Sequence, residues 1–293
     1  MTQTDLPAVD IITVNFNGKD FLADYFRSLA GLRYPKEKIR LFFADNGSRD
    51  GSLDFVRGVK TDYRLEIVDG KRNLGFARAN NLVFKRCAAE YIALLNNDTR
   101  VDPEWLSNLI QKIQSDPSIG IVSSRQIPQE SSRYIDPVTN QTSWCSGGHC
   151  VIRKDVLEKT GFFDEKFFMY GEDVDLSWRI WLANFSCVYV PEAVCEHHHR
   201  QGGYNHRRYF YHVRNSILLR YKYGTLREGI RCACAWFKEG LHRLLIRGRP
   251  GEAAAILKAA IAHLGLAAYF RRQHRIIAAS PRYADVRKKW IAL

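Results

Sequence analysis

Five short runs rich in aliphatic and β-branched residues alternate with segments of helical periodicity: "IITVNF" (11–16), "IRLFFAD" (39–45), "RLEIVD" (64–69), "YIALLNND" (91–98) and "IGIVSS" (119–124). Between the first two, Phe21, Leu22, Tyr25, Phe26 and Leu29 fall on one helical face, and 76–88 and 103–114 also read as helices. Such alternation admits few folds, of which an α/β architecture with a mostly parallel sheet covered by helices is the simplest. In these sheets ligands collect at the carboxyl ends of the strands. The polar strand exits therefore come first: Asn15 and Asn17, Asp45 and Asn46, Asp69, and the run Asn96, Asn97, Asp98. Taken singly, each also has the commoner reading of a turn former.

The strand pattern stops near residue 200, and so does the charge balance. Residues 197–293 carry 20 Lys/Arg against 4 Asp/Glu, a net +16, whereas residues 1–196 carry 24 against 27, a net −3. The first part resembles an ordinary soluble enzyme; the last part suits a polyanion, either nucleic acid or an anionic membrane surface. There Phe237, Leu241, Leu244 and Leu245 line one helical face, and Lys238, His242, Arg243 and Arg247 the other. The most apolar stretch, 253–270, is interrupted by Lys258 and His263 and barely reaches spanning length, so it reads as interfacial or packed, with a membrane span as the lesser alternative. Seven cysteines without a CxxC pair argue for reduced thiols. The polar opening "MTQTDLPAVD" lacks the pattern of a signal peptide, so a cytoplasmic setting is expected.

Several stretches carry candidate chemistry. Asp98 follows a hydrophobic strand, where a carboxylate can hold a divalent cation against a diphosphate. "EHHHRQGG" (196–203) offers His197, His198 and His199, of which an extended chain turns at most two toward one site. Asp45 in "DNGSRDGS" can accept from a nucleobase N–H, while Ser48, Asp50 and Ser52 can cap the next helix. "KRNLGFARANN" (71–81) brings Arg72, Asn73, Arg78, Asn80 and Asn81 to a loop and a first helical turn, a possible diphosphate or sugar cradle. In "WCSGGHC" (144–150), Trp144 stands beside Gly147 and Gly148, which permit close backbone approach. Cys145, His149, Cys150, Cys195 and His197 match no familiar zinc spacing.

In "FFMYGEDVDLSWR" (167–179), Glu172, Asp173 and Asp175 suit the first turn of a helix. Asp175 stands one turn before Arg179, a structural pairing worth about 0.3–0.5 kcal/mol. Glu172 and Asp173 follow Phe167, Phe168 and Tyr170, where a carboxylate loses hydration and becomes chemically useful.

The ordered set "VNFNG", "ADNGSRDGS", "NLGFARANN", "LLNNDT", "WCSGGHCVIRKDV", "GFFDEKFFMYGEDVDLSWR" and "HRRYFYHVRN" resembles family 2 glycosyltransferases, with the bacterial rhamnosyltransferase-like branch the nearest match. The resemblance covers about residues 9–220. It implies a GT-A fold over residues 8–220, followed by a helical, basic region at 221–293, and inverting transfer from a nucleoside diphosphate sugar. The implied donor is dTDP-rhamnose, with a UDP-hexose as competitor; the acceptor is a hydroxyl of a glycan or lipid-linked saccharide in cell-surface polysaccharide synthesis. By the same resemblance Asp45 reads the base, with Thr13, Val14 and Asn15 beside it, and Asn73, Arg78, Asn80 and Asn97 join the nucleotide-sugar site. Asn96-Asn97-Asp98 takes the place of a DxD motif, so Asp98 would hold Mg²⁺ or Mn²⁺ with His197 as a further ligand; the missing first acid predicts lower metal affinity. Asp173 matches the general base. Glu172 either orients the acceptor or caps the helix. Trp144, Gly147 and Gly148 belong to the acceptor or sugar pocket, although Trp144 also suits an ordinary core.

Two other readings compete. A nucleotidyltransferase would also show alternating strands and acidic metal ligands, but "VNFNGKD" lacks the glycine-rich, arginine-containing loop such enzymes carry. A non-catalytic module binding membrane or nucleic acid would explain the basic tail and leave the acidic strand exits unexplained. The expected setting is the inner face of the plasma membrane, with the tail on anionic lipid and no nucleic-acid partner. The tail helices suit pairing of protomers as readily as lipid, so oligomeric state stays open.

Overall fold

A computed structural model describes residues 6–131, 133–198 and 206–291. The chain runs through β1 (Val9–Asn15), α1 (Lys19–Ala30), β2 (Ile39–Asp45), α2 (Ser52–Arg57), β3 (Arg64–Asp69), α3 (Phe76–Phe84), β4 (Tyr91–Leu95), β5 (Thr99–Val101) and α4 (Trp105–Gln114). It continues through β6 (Ile119–Ile127), β7 (His149–Arg153), α5 (Lys154–Thr160), α6 (Glu172–Leu182) and β8 (Ser186–His197). Five helices follow: α7 (His206–Tyr223), α8 (Leu226–Leu245), α9 (Pro250–Ala262), α10 (Leu264–Ala278) and α11 (Tyr283–Lys289).

The strands form one eight-stranded sheet in the order β3-β2-β1-β4-β7-β6-β8-β5. The pairs β2–β3, β1–β2, β1–β4 and β6–β8 are parallel, whereas β7 enters antiparallel to both β4 and β6, and β5 antiparallel to β8. Both faces are covered, which is why the inner strands read as unbroken apolar runs. Ile11, Leu41 and Phe43 pack with Leu22 and Tyr25 of α1 and Trp105 and Leu109 of α4. Ile12, Phe42 and Leu94 face the opposite way, into a cluster with Phe84, Trp178 and Ile180.

That second cluster does not end with the sheet. It takes in Phe270, Val286 and Trp290 from the last helices, with Trp181 stacked on Trp290 at 4.4 Å and Phe167 against Phe270 at 5.2 Å. The apolar stretch 253–270 is divided between α9 and α10, which meet at 50° beside His263, and α9 buries Ala253, Ile256 and Ala259. No single helix among the described residues is long and apolar enough to cross a membrane; the bent α9–α10 pair meets that test by length and composition only.

Candidate active site

The carboxyl ends of β1, β2 and β4 are tied together by side chains. Asn15 Nδ2 donates to Asp45 Oδ1 and to Ser48 Oγ, each at 3.0 Å, and Asn97 Nδ2 donates back to Asn15 Oδ1 at 2.5 Å. A Cβ on Gly18 would fall 1.9 Å from Asn97 Nδ2 and 2.6 Å from Asn15 Oδ1, so a side chain there would displace that hydrogen bond. Asp45 is 2% exposed and also accepts from the backbone N–H of Gly47 (3.2 Å) and Ser48 (2.9 Å). Three of its roughly four acceptor directions are thus in use, and one stays open to a ligand N–H. Asp50, expected as a cap, accepts from Ser52 N and from Lys19 N.

A second junction joins the Asn96–Asp98 turn to α6 through Gly147 and Gly148. Asn96 N donates to the Gly148 carbonyl at 2.8 Å, and the neighbouring Gly147 N donates to Asp173 Oδ2 at 3.2 Å. Contact is close enough that a Cβ on Gly148 would lie 2.6 Å from Asn96 Nδ2, and one on Gly147 3.3 Å from Asp173 Cβ. A side chain at position 148 would displace the Asn96 side chain, and one at position 147 would crowd Asp173.

The two acids of this junction have unlike surroundings. Asp173 Oδ1 accepts from Val174 N at 2.8 Å, so the carboxylate has two backbone donors in all, at a helix N-terminus that favours negative charge. Burial raises its pKa, and the Gly147 and Val174 N–H groups and the Arg133 charge oppose that rise. Glu172 is 5% exposed and its Oε2 has no hydrogen-bond partner. Burial, then the neighbouring Asp173 charge, pushes its pKa well above the usual carboxylate range. The pair thus favours a proton on Glu172 and a charge on Asp173. Asp175 is unlike both: fully buried, it meets Arg179 Nε at 2.9 Å, Lys222 Nζ at 2.6 Å and the Tyr223 hydroxyl at 2.8 Å. Burial raises its pKa, but the two cations outweigh that and lower it overall. Its role is structural, and larger than the isolated helix pairing expected from spacing.

Asp98 Oδ1 lies 3.0 Å from His197 Nε2. Two electron pairs at that distance need a shared proton or cation between them. Cis positions of an octahedral site with ligands at about 2.1 Å are also about 3.0 Å apart, so the pair fits a small divalent cation. No third His, Cys, Asp or Glu joins them among the described residues. Among the described residues the cysteines join no cluster that could hold zinc, and Cys145, Cys150 and Cys195 are buried thiols. His198 leans toward Glu196 at 3.8 Å, and His199 lies outside the described residues.

Not every expected residue arrives. Thr13 is fully buried with its hydroxyl on the Tyr25 hydroxyl, on the side of the sheet covered by α1. Asn80 is 1% exposed and bonds the Phe76 carbonyl of its own helix, because it sits on the inner face of α3. Neither side chain reaches the strand ends. Asn73 accepts from Gly75 N at 2.9 Å and from Asn46 Nδ2 at 3.2 Å, which ties its loop to the end of β2, while Arg78 stands on the surface 3.7 Å from Glu165. Val14 is half-buried and packs under α3. Trp144 is half-buried with the Arg133 guanidinium 5.6 Å from its ring.

Two contributors are not among the expected site residues. Arg133 has a fully buried side chain, bound to Glu130 at 3.1 Å and set against Trp144 and Tyr189. Asn215 in α7 donates to the carbonyls of Phe167 (2.9 Å), Met169 (2.8 Å) and Tyr170 (2.6 Å), fixing the loop that leads into Glu172. Both lie far along the chain from the groups they serve; only the asparagine falls inside a stretch that the sequence singles out.

Residues 10–186 match the family model described as glycosyl transferase family 2. A poly-beta-1,6-N-acetyl-D-glucosamine synthase of Staphylococcus epidermidis is 22% identical over 205 residues, covering 64% of this chain and 49% of that protein. The chain spans about half the length of the curated relatives it matches. Among solved structures, mannosyltransferase PcManGT from Pyrobaculum calidifontis in complex with GDP-Man and Mn²⁺ has a TM-score of 0.62 at 19% identity, over 99% of this chain and 89% of that one. Residues 1–349 of Staphylococcus aureus TarS in complex with UDP-GlcNAc give 0.57 at 13% identity, over 95% and 92%. These likenesses establish the GT-A fold.

Proposed function

This chain belongs to glycosyl transferase family 2, and we propose that it moves a sugar from a nucleoside diphosphate sugar to a hydroxyl of a glycan or lipid-linked saccharide, with inversion at the anomeric carbon. The observation that carries this reading is the Gly147–Gly148 junction, which sets the Asn96–Asp98 turn against Asp173 through two hydrogen bonds donated by backbone N–H groups, one to the Gly148 carbonyl and one to the Asp173 carboxylate. An ionised carboxylate is thereby held beside a cation-competent pair.

Asp173 serves as general base, taking the acceptor hydroxyl proton as the new bond forms; such proton transfer contributes about 10²–10⁴-fold. Glu172, protonated beside it, keeps the local charge to one and orients the acceptor. Asp98 and His197 hold Mg²⁺ or Mn²⁺. When bound, that ion neutralises charge developing on the departing diphosphate. Asp45, with one acceptor direction open, takes a base N–H, and Trp144 offers a face for a sugar.

The donor divides between two readings. The motif text favours dTDP-rhamnose. The name of the staphylococcal relative, a synthase of an N-acetylglucosamine polymer, favours a UDP-linked hexosamine, and we place that first. Calorimetric titration with UDP, dTDP and GDP, each with and without Mn²⁺, on the wild type and on Asp98→Ala separates them. Metal-dependent binding of one nucleotide, lost in the variant, is the expected result; binding of none overturns the transferase reading.

The setting we propose is an anionic membrane surface. The apolar face of α8 turns outward: Ile230, Phe237, Leu241, Leu244 and Leu245 are exposed, the last at 74%. Its packed face is made instead by Gly229 against Tyr221, Trp236 on Ser216 and Gly240 against Leu257. Arg227, Arg231 and Lys238 flank the exposed stripe, so the helix has the amphipathic form of one lying at an anionic interface.

A further inference from the structure

The Asp98–His197 pair is backed by a buried chain of polar side chains that the proposed chemistry does not use. Register brings it together: Gln126 at the end of β6 pairs with Cys195 of β8, two residues before His197, and Ser123 pairs with Cys150 of β7, next to His149. His149 and Ser124 are fully buried, and Gln126 is 8% exposed. Gln126 Oε1 lies 3.4 Å from His197 Nδ1 and 3.2 Å from His149 Nε2, and Ser124 Oγ lies 2.9 Å from His149 Nδ1.

Each atom's role follows from its neighbour. Gln126 Nε2 donates to the Gln129 carbonyl at 2.6 Å. A carbonyl can only accept, so the amide must turn its NH₂ there and its oxygen toward the two histidines. That oxygen in turn can only accept. His149 Nε2 and His197 Nδ1 therefore both carry their protons toward it. His149 remains neutral, since burial, followed by the Arg133 and His197 charges, depresses its pKa to about 3. With its one proton on Nε2, its Nδ1 accepts from the Ser124 hydroxyl, and the chain is satisfied from end to end.

We propose that Gln126, anchored by Gln129 and backed by His149 and Ser124, is a positioning residue that accepts from His197 Nδ1 and so fixes the ring with Nε2 turned to Asp98. Histidines that bind metals are ordinarily oriented by a partner on the other ring nitrogen, and loss of that partner weakens metal affinity about 10–100-fold. Here the partner is a neutral amide oxygen whose own direction is set three residues along the same chain. With no group of three His, Cys, Asp or Glu that could hold a metal among the described residues, the orientation of the His197 ring decides whether one donor or two is presented.

This inference rests on the metal role given above to Asp98 and His197, and the test separates the two. Mn²⁺ affinity in the presence of UDP, measured beside UDP affinity without metal, is the readout. Gln126→Leu, which keeps the bulk and removes the acceptor, is expected to weaken Mn²⁺ binding about 10–100-fold, with metal-free UDP affinity unchanged. Gln126→Glu, which restores an acceptor, is expected to recover most of the loss. Mn²⁺ binding abolished by Asp98→Ala but unmoved by Gln126→Leu overturns this proposal alone, whereas a wild type that binds no Mn²⁺ with UDP overturns the metal reading and this proposal with it. Should Gln126→Leu fail to fold, Gln126→Met, an unbranched side chain of similar length without the amide acceptor, takes its place, and an unmoved Mn²⁺ affinity there overturns the proposal equally.

Discussion

Two adjacent carboxylates reach opposite protonation preferences through a handful of contacts. Asp173 has Gly147 N and Val174 N as donors; Glu172 is buried with one oxygen unpartnered. If Asp173 is the base, Asp173→Asn is expected to lower kcat about 10²–10⁴-fold while nucleotide affinity is unchanged. The pH dependence has a definite sign. A base works only when ionised and burial raises the Asp173 pKa, so activity should fall as pH drops through a point above the usual aspartate value of about 3.9. Glu172→Gln exchanges one neutral group for another and is expected to leave that acid limb in place; a limb that moves down in this variant would make Glu172 part of the titrating base. The acid pair was legible from its text, and so was the Asn96–Asp98 turn. The glycine contact between them was not, because "WCSGGHC" contains nothing that names a partner in a helix more than twenty residues away.

The element that presents these acids is a strained loop. Phe168 and Tyr170 have φ of +67° and +66°, and Gly171, at the N-terminus of α6, has φ of +87°. Left-handed aromatic residues cost about 1–3 kcal/mol each and persist only where the surroundings enforce them. Asn215 does the enforcing, with one amide nitrogen shared by three carbonyls, and Arg214 Nη2 adds bonds to the carbonyls of Lys166 and Phe167. Asn215→Ala should lose about 1–3 kcal/mol of stability, the usual result of stranding buried acceptors. Asn215→Asp should lose more, since it points a carboxylate at those same carbonyls, and a thermal melt in which the aspartate variant is the more stable of the two would disprove the clamp. The main strands and helices were legible because their periodicity is local. β7 and β5 were not: five and three residues long, they owe their existence to antiparallel partners across the sheet, and no window of sequence contains both members of such a pair.

Across the whole molecule, the charge asymmetry between the two parts of the chain is plain in composition, but composition does not say where the basic part sits. In three dimensions the last helices share the core of the sheet, through Trp181–Trp290, Phe167–Phe270 and the Lys222–Asp175 ion pair. They are bound to the same helix that carries Asp173, so a surface that holds them also sets the distance of the active site from it. Periodicity had shown α8 to be amphipathic without showing which face packs; the core takes its small residues and leaves the leucines outside. A second copy of the chain is a poor occupant for that stripe, since Arg227, Arg231 and Lys238 of each copy would face one another. Anionic lipid suits both parts, with each basic residue near such a surface contributing about 1 kcal/mol and each inserted leucine about 1.5–3 kcal/mol. The protein should therefore float with vesicles containing anionic lipid and stay behind with neutral ones. Arg231→Ala and Lys238→Ala should each weaken that binding about fivefold, in step with the lipid charge. Leu244→Asp together with Leu245→Asp should abolish it without touching nucleotide affinity, because neither side chain belongs to the core. Equal recovery on neutral vesicles would reduce the basic flank to a solvated surface, and a change from dimer to monomer in the leucine variant would assign the stripe to a second protomer instead.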